Sequence, residues 1–281
     1  QIAGGRLDLK GVVEPLGSSV GLDLALKFAH PHTERLAALL VDGFAARRIV
    51  LGPGILAASI LTRPDLGVDI DTSLNLLAGR LALKGVVHPF AAKPAIDAQV
   101  YFDHPDVVSL IRLGALEFKP SRRDFGAVSL ASTITGSLDL LTLTGISISA
   151  GPTTLSGAGR IELGGQRPKI SLKLAADALE VDPWLTAKTV KAKGVGVVVP
   201  VRSRGQEWSR ERIDLGVLRT IDMALELVAR NFTYSPYIID DFALAADLVD
   251  GKLTLQRFGG GIFGGKIAAT GRLIAVDTPA A

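Results

Sequence analysis

Apolar and polar residues alternate along most of this chain with the two-residue period of a half-buried β-strand. Val20, Leu22, Leu24, Leu26 and Phe28 fall at every second position with Asp23 and Lys27 between them, and Ile96, Ala98, Val100 and Phe102 do the same. The pattern returns in Ile170, Leu172, Leu174 and Ala176, in Met223, Leu225, Leu227 and Ala229, and in Phe242, Leu244, Ala246 and Leu248. A further alternating run starts at Leu253 and Leu255, and Asp250-Gly251 before it suits the positive φ of a tight hairpin. Helical spacing is confined to short stretches after a proline: Leu36, Leu39, Leu40 and Phe44 after Pro31, Val107, Leu110 and Ile111 after Pro105, and the single turn Asp182-Pro183-Trp184-Leu185. Proline is expected in the first turn of each, where its missing N–H costs nothing.

These elements recur. Leu7, Leu9, Lys10, Gly11, Val12, Val13 and Pro15 align without a gap on Leu81, Leu83, Lys84, Gly85, Val86, Val87 and Pro89, and further on Asp23, Phe28, His30 and Pro31 align on Asp97, Phe102, His104 and Pro105. Copies therefore start near residues 5 and 79, and a degenerate third starts near 159 at Gly159-Arg160-Ile161. Between the copies, Ile49 to Ile60, Leu66 to Leu77, Val128 to Ile134, Leu138 to Leu143 and Ile146 to Ile148 also read as strands, so the unit comes to about five strands and one short helix. The expected organisation is repeated β units over 1–185, a basic linker with one strand over 186–212, and a last β region over 213–281. Lys188, Lys191, Lys193, Arg202, Arg204, Arg210 and Arg212 mark the linker. Units of this kind stack in one dimension, and strand twist bends their sheet. The expected fold is mainly β: an elongated, repetitive, strongly curved, antiparallel-rich sheet, a groove with a few short helices.

Composition changes the picture in one respect. Apolar residues make up 48% of the 281 and aromatics only 5%, and the mean hydropathy is +0.35. No uninterrupted apolar run of about 18 residues accounts for this, so the surplus lies along the strands. A sheet with one apolar face needs a second layer, and few helices are available to supply it. Either two sheets close on each other or part of the face stays open for a ligand. The net charge of +3 is mild and its cations are not interleaved with stacking aromatics, which argues against nucleic acid. With no cysteine, disulfides and thiolate metal sites are excluded. No charged-then-apolar leader follows Gln1, and the chain reads as a fragment.

Catalytic chemistry needs convergent nucleophiles, acids, bases or metal ligands, and none stands out. His30 and His32 flank Pro31 too closely to face one way, and the recurrence of His30 at His104 fits a repeated helix entry. Gly259 to Gly261 and Gly264-Gly265 lack the Lys-Ser/Thr pair of a phosphate loop and precede a strand-like run. Asp240, Asp241 and Asp250 lack calcium-loop spacing. No enzyme, cofactor or metal is expected.

Several segments, in order, carry a family resemblance. Trp208-Ser209, Ile213-Asp214-Leu215, Leu218 and Ile221-Asp222 come first; Asn231-Phe232-Thr233-Tyr234 and Ile239-Asp240-Asp241-Phe242 follow; Asp250-Gly251-Lys252-Leu253-Thr254-Leu255 through Phe263-Gly264-Gly265 closes the series. Over residues 208 to 273 the chain resembles the C-terminal part of the AsmA family of bacterial envelope proteins, with a weaker, repeat-type likeness before it. The resemblance implies a periplasmic setting, an inner-membrane anchor ahead of the region represented here, and participation in lipid movement between membranes or outer-membrane biogenesis. Phospholipid or another membrane lipid is then the expected partner, with envelope proteins as further partners and no nucleic acid. Alternation places Leu22, Leu24, Leu26, Phe28, Ile96, Val100, Phe102, Leu172, Leu174, Leu225, Leu227, Leu244 and Leu248 on the expected lipid-binding surface. The alternative is a scaffold or chaperone-like factor for outer-membrane protein assembly that binds proteins by strand addition.

Overall fold

The computed structural model describes residues 4–16, 19–40, 50–109, 126–184 and 221–274. They form one sheet of fourteen strands that lie side by side in chain order. The strands are β1 (Arg6–Leu16), β2 (Ser19–His30), β3 (Gly54–Thr62), β4 (Val68–Leu76), β5 (Gly79–His88), β6 (Ala95–His104) and β7 (Val128–Ser137), then β8 (Leu140–Ala150), β9 (Thr153–Glu162), β10 (Lys169–Glu180), β11 (Asp222–Tyr234), β12 (Tyr237–Val249), β13 (Lys252–Ile262) and β14 (Gly265–Ile274). Every neighbouring pair is antiparallel except β10 and β11, which run parallel. The sheet is open, because β1 and β14 are its two edges and do not pair with each other. Helical structure among the described residues is limited to α1 (Thr33–Leu40), a turn over 107–109 and a 3₁₀ turn, Asp182–Trp184.

The copies aligned in the sequence are structural repeats. β1 to β4 with α1 form the first, β5 to β8 with the turn at 107 the second, and β9 to β12 with the 3₁₀ turn the third, while β13 and β14 add a hairpin. The unit is therefore four strands and a short helical insert, one strand fewer than the sequence reading. Ile146 to Ile148 continues Leu140 to Leu143 within β8, and Gly145, at φ 60°, sits where the register slips against both neighbours. A β-bulge has the same sequence appearance as a strand break.

The prolines also differ from expectation in two copies. Pro31 and Pro105 stand before their helices, which begin at Thr33 and residue 107, and only Pro183 lies inside its turn. A residue without an N–H cannot extend a ladder, so Pro31 and Pro105 end β2 and β6. The Asp250-Gly251 hairpin is as expected, with φ of 51° and 71°. At the repeat-related positions Gly11 and Gly85, a Cβ would stand 2.0 Å from the Asp23 carbonyl oxygen and 2.1 Å from that of Asp97, so only glycine permits this strand approach. The basic linker expected at 186–212 lies outside the described residues.

The open apolar face and its closed end

The pairing registers settle which side chains share a face. One row across the strands runs Leu7, Phe28, Leu56, Leu74, Leu81, Phe102, Leu130, Ile148 and Leu155, each directly opposite the next. A second passes through Leu24, Ile60, Ile70, Gly85, Ala98, Ile134, Leu143, Gly159, Leu172, Leu225 and Ala246. A third joins Thr62, Val68, Val87, Ile96, Gly136, Leu141, Ile161, Ile170, Met223 and Leu248, and Leu22 extends it by donating its N–H to the Thr62 hydroxyl oxygen at 3.0 Å. With strand alternation, all thirteen residues expected from the sequence fall on this one face. The opposite face is polar, with cross-strand ion pairs such as Lys84 to Asp71 at 3.2 Å and Lys173 to Glu226 at 3.0 Å.

Over the first eight strands the apolar face has no second layer among the described residues. Every extensive contact between elements is one between neighbouring strands. Leu22, Leu24, Leu26, Phe28, Ile96, Val100 and Phe102 are half-buried, shielded by neighbours in their rows but not roofed. Leu172 and Leu225 in the third copy are in the same state.

Toward one end of β11 to β13 the same face closes. Leu227, Ala229, Ile239 and Phe242 form a buried cluster, with Leu155, Leu174, Leu179, Leu244, Phe258 and Ile262 packed against it. Phe232 stacks on Phe242 at 4.4 Å between ring centroids, and Phe258 meets both rings edge-on at 6.0 and 5.2 Å. Phe242 is only 2% exposed. Of the thirteen residues, Leu227 and Leu248 are buried, and Leu174 and Leu244 lean on the cluster.

One long edge is rimmed by the helical inserts. His30 and His104 end β2 and β6 as buried side chains, and the Nδ1 of each accepts a backbone N–H two residues on, from His32 and Asp106, at 3.0 Å. The Nε2 of His104 lies 2.7 Å from the Leu77 carbonyl oxygen, which makes it the donor and fixes the neutral tautomer. The repetition of this histidine is thus structural. Asp106 caps the turn that follows, accepting the Val108 N–H at 2.9 Å and the Ser109 hydroxyl at 2.5 Å, and the Ser109 bond chiefly holds its carboxyl below the ordinary value. Glu34 on α1 is held low by its own main-chain N–H and by those of Gly52 and Leu51. Val107 and Val108 pack on Val128 and Trp184, so the rims of the second and third copies touch.

The polar face carries a concavity that alternation did not point to. It encloses about 540 Å³ across β8 to β13 and is lined by Ala158, Arg160, Ser171, Lys173, Ala224 and Glu226 among others. The available signal was a run of small residues, Ala158, Ser171, Ala224 and Ala245, at outward positions of four adjacent strands. Among the described residues no three His, Asp or Glu side chains gather as metal ligands, and no helix is long and apolar enough to cross a membrane.

Compared with known families, residues 109–281 match the model of the AsmA family. The chain belongs to the AsmA family. Its role is accordingly envelope-related. No curated protein and no solved structure matches it. The AsmA match starts well ahead of Trp208 and takes in β7 to β14. Leu22 to Phe28 and Ile96 to Phe102 lie before it, tied to the AsmA region by the repeat and by the shared face.

Proposed function

We propose that this chain is a non-enzymatic lipid-handling protein of the envelope, and that acyl chains lie along its open apolar face while headgroups remain in water. The observation that carries this reading is the half-exposed aliphatic face of β1 to β8, continuous across the strands and roofed by none of the described residues. Burying a methylene contributes about 0.8 kcal/mol, so a chain that shelters half a dozen of them gains about 5 kcal/mol. Leu22, Leu24, Leu26, Phe28, Ile96, Val100 and Phe102 form the principal surface, extended by Leu172 and Leu225. In this reading the protein works in the periplasm, anchored to the inner membrane, and contributes to lipid transport between membranes or to outer-membrane biogenesis. Gently purified protein extracted with organic solvent should release phospholipid on mass spectrometry, and Leu24→Asp should remove it while the β-type circular dichroism persists. Folded wild-type protein without lipid sinks the proposal.

A second reading is favoured by β14, whose ten residues are all exposed and whose outer side is paired by no strand among the described residues. Such an edge pairs readily with another strand, as a scaffold for outer-membrane proteins would require. A cysteine placed by Ala268→Cys in this cysteine-free chain should then crosslink to partner strands, and failure to capture any would remove that reading.

A further inference from the structure

The turns at the two long edges of the sheet differ in kind. On the edge opposite the helical rim, every described turn between neighbouring strands carries charge: Arg63 and Asp65 between β3 and β4, Lys93 between β5 and β6, Asp139 between β7 and β8, Arg167 between β9 and β10, and Asp250 between β12 and β13. On the rim edge the corresponding turns are Leu77-Ala78, Gly151-Pro152, Ser235-Pro236 and Phe263-Gly264, with no charge among them. Of the described charges on the helical inserts at this edge, Glu34, Asp106 and Asp182 are engaged by backbone N–H groups, those of Leu51 and Gly52, of Val108, and of Ser235, while Arg35 on α1 is exposed.

Phe263 sharpens the contrast. It occupies a two-residue turn at φ 52°, followed by Gly264 at 75°. The Asp250-Gly251 turn at the other edge has the same conformation with the residues that conformation favours. A bulky side chain at positive φ is an outlier, yet Phe263 is 86% exposed and packs edge-on against Tyr237, at 6.0 Å between centroids. Tyr234 and Tyr237 pair across the adjacent hairpin, and both are exposed, as is Ile238. The aromatic column that begins at buried Phe242 and half-buried Phe232 thus runs out of the fold into solvent at this edge.

We propose that the rim edge docks on the surface of a lipid bilayer, with Tyr234, Tyr237 and Phe263 seated among the headgroups. Tyrosine suits that boundary because its ring is apolar and its hydroxyl needs water. Phenylalanine at a projecting tip gains there the apolar burial that the described residues do not give it. Among the described residues the charges nearest the tips, Glu180, Asp182, Asp240, Asp241 and Lys266, are mostly acidic, so the attraction is hydrophobic and needs no anionic lipid. This surface is separate from the open apolar face, and docking through it does not depend on that face holding acyl chains.

The test is flotation of the full chain with phosphatidylcholine vesicles. Phe263→Asn supplies a residue that the turn prefers, so folding is preserved, and binding should weaken at least about tenfold given the burial energy of a phenylalanine. Phe90→Ser removes an aromatic of similar exposure from the opposite edge and should change nothing. The proposal is overturned if the wild type does not float, if it floats only with anionic vesicles in a salt-sensitive way, or if Phe263→Asn binds as the wild type does. Phe263→Asn should retain extractable lipid and Leu24→Asp should still float, so failure here is distinguishable from failure of the lipid-handling reading.

Discussion

The first eight strands and the last six are cut from the same pattern and end in different states. In both, one face is aliphatic and the other polar, and in both the strands follow one another in chain order. In β1 to β8 the aliphatic rows meet, among the described residues, only their own neighbours and, apart from buried Ala98, stay half-exposed. In β9 to β14 three phenylalanines and a ring of leucines draw the face shut at one end, where Phe242 is buried. An uncovered sheet face therefore does not follow from alternation alone. It persists where the aromatics stand on separated strands, as Phe28 and Phe102 do, and disappears where large aromatics from adjacent strands reach one another.

The largest expected effect separates stability from surface. Phe242→Ala removes the centre of the closed end and should cost about 3–5 kcal/mol, seen as a lower urea midpoint. Leu24→Ala, on the open face, should cost no more than about 1 kcal/mol; equal losses would mean that the two halves have equivalent cores. Next, Gly85→Val forces a side chain into a 2.1 Å gap and should cost about 1–3 kcal/mol, whereas Gly271→Ala meets nothing within 4 Å and should be neutral. A comparable loss at Gly271 would show that the approach of β5 to β6 is not the constraint.

Asp106→Ala should destabilise by about 0.5–2 kcal/mol through loss of its cap. The carboxyl is lower in the folded state than in the unfolded chain, so its contribution is complete above the ordinary carboxylate value of about 3.9 and is lost as pH falls through the lowered one. The gap in Tm between Asp106→Ala and wild type should therefore narrow below about pH 4, and a constant gap would exclude the ionised cap. The smallest effect is expected at Lys84→Ala, whose partner Asp71 is likewise exposed. No shift of the urea midpoint should be measurable.

Much of this was legible in the residues themselves. Strand alternation and the pairing registers put the thirteen side chains on one face, because the period of two is local and geometric. The offset between Gly5 and Gly79 revealed the repeat, and Asp250-Gly251 marked its hairpin. Other features were not legible, each for a physical reason. Gly145 resembles a strand terminus because a bulge breaks alternation as a turn does. Pro31 and Pro105 resemble helix starts because strand ends and helix starts both tolerate a missing N–H. The concavity around Ser171 and Ala224 depends on four strands lying side by side, one pair of them parallel across a long gap in sequence.

By itself, then, the sequence determined that the chain is a repetitive β sheet with one aliphatic and one polar face, since side-chain direction in a strand follows from backbone geometry. Tertiary structure alone decided how much of the aliphatic face stays open. Whether Leu24 remains half-exposed and Leu227 becomes buried depends on what neighbouring strands bring to the same spot and on how far the sheet bends to bring it, and neither is encoded within a single strand.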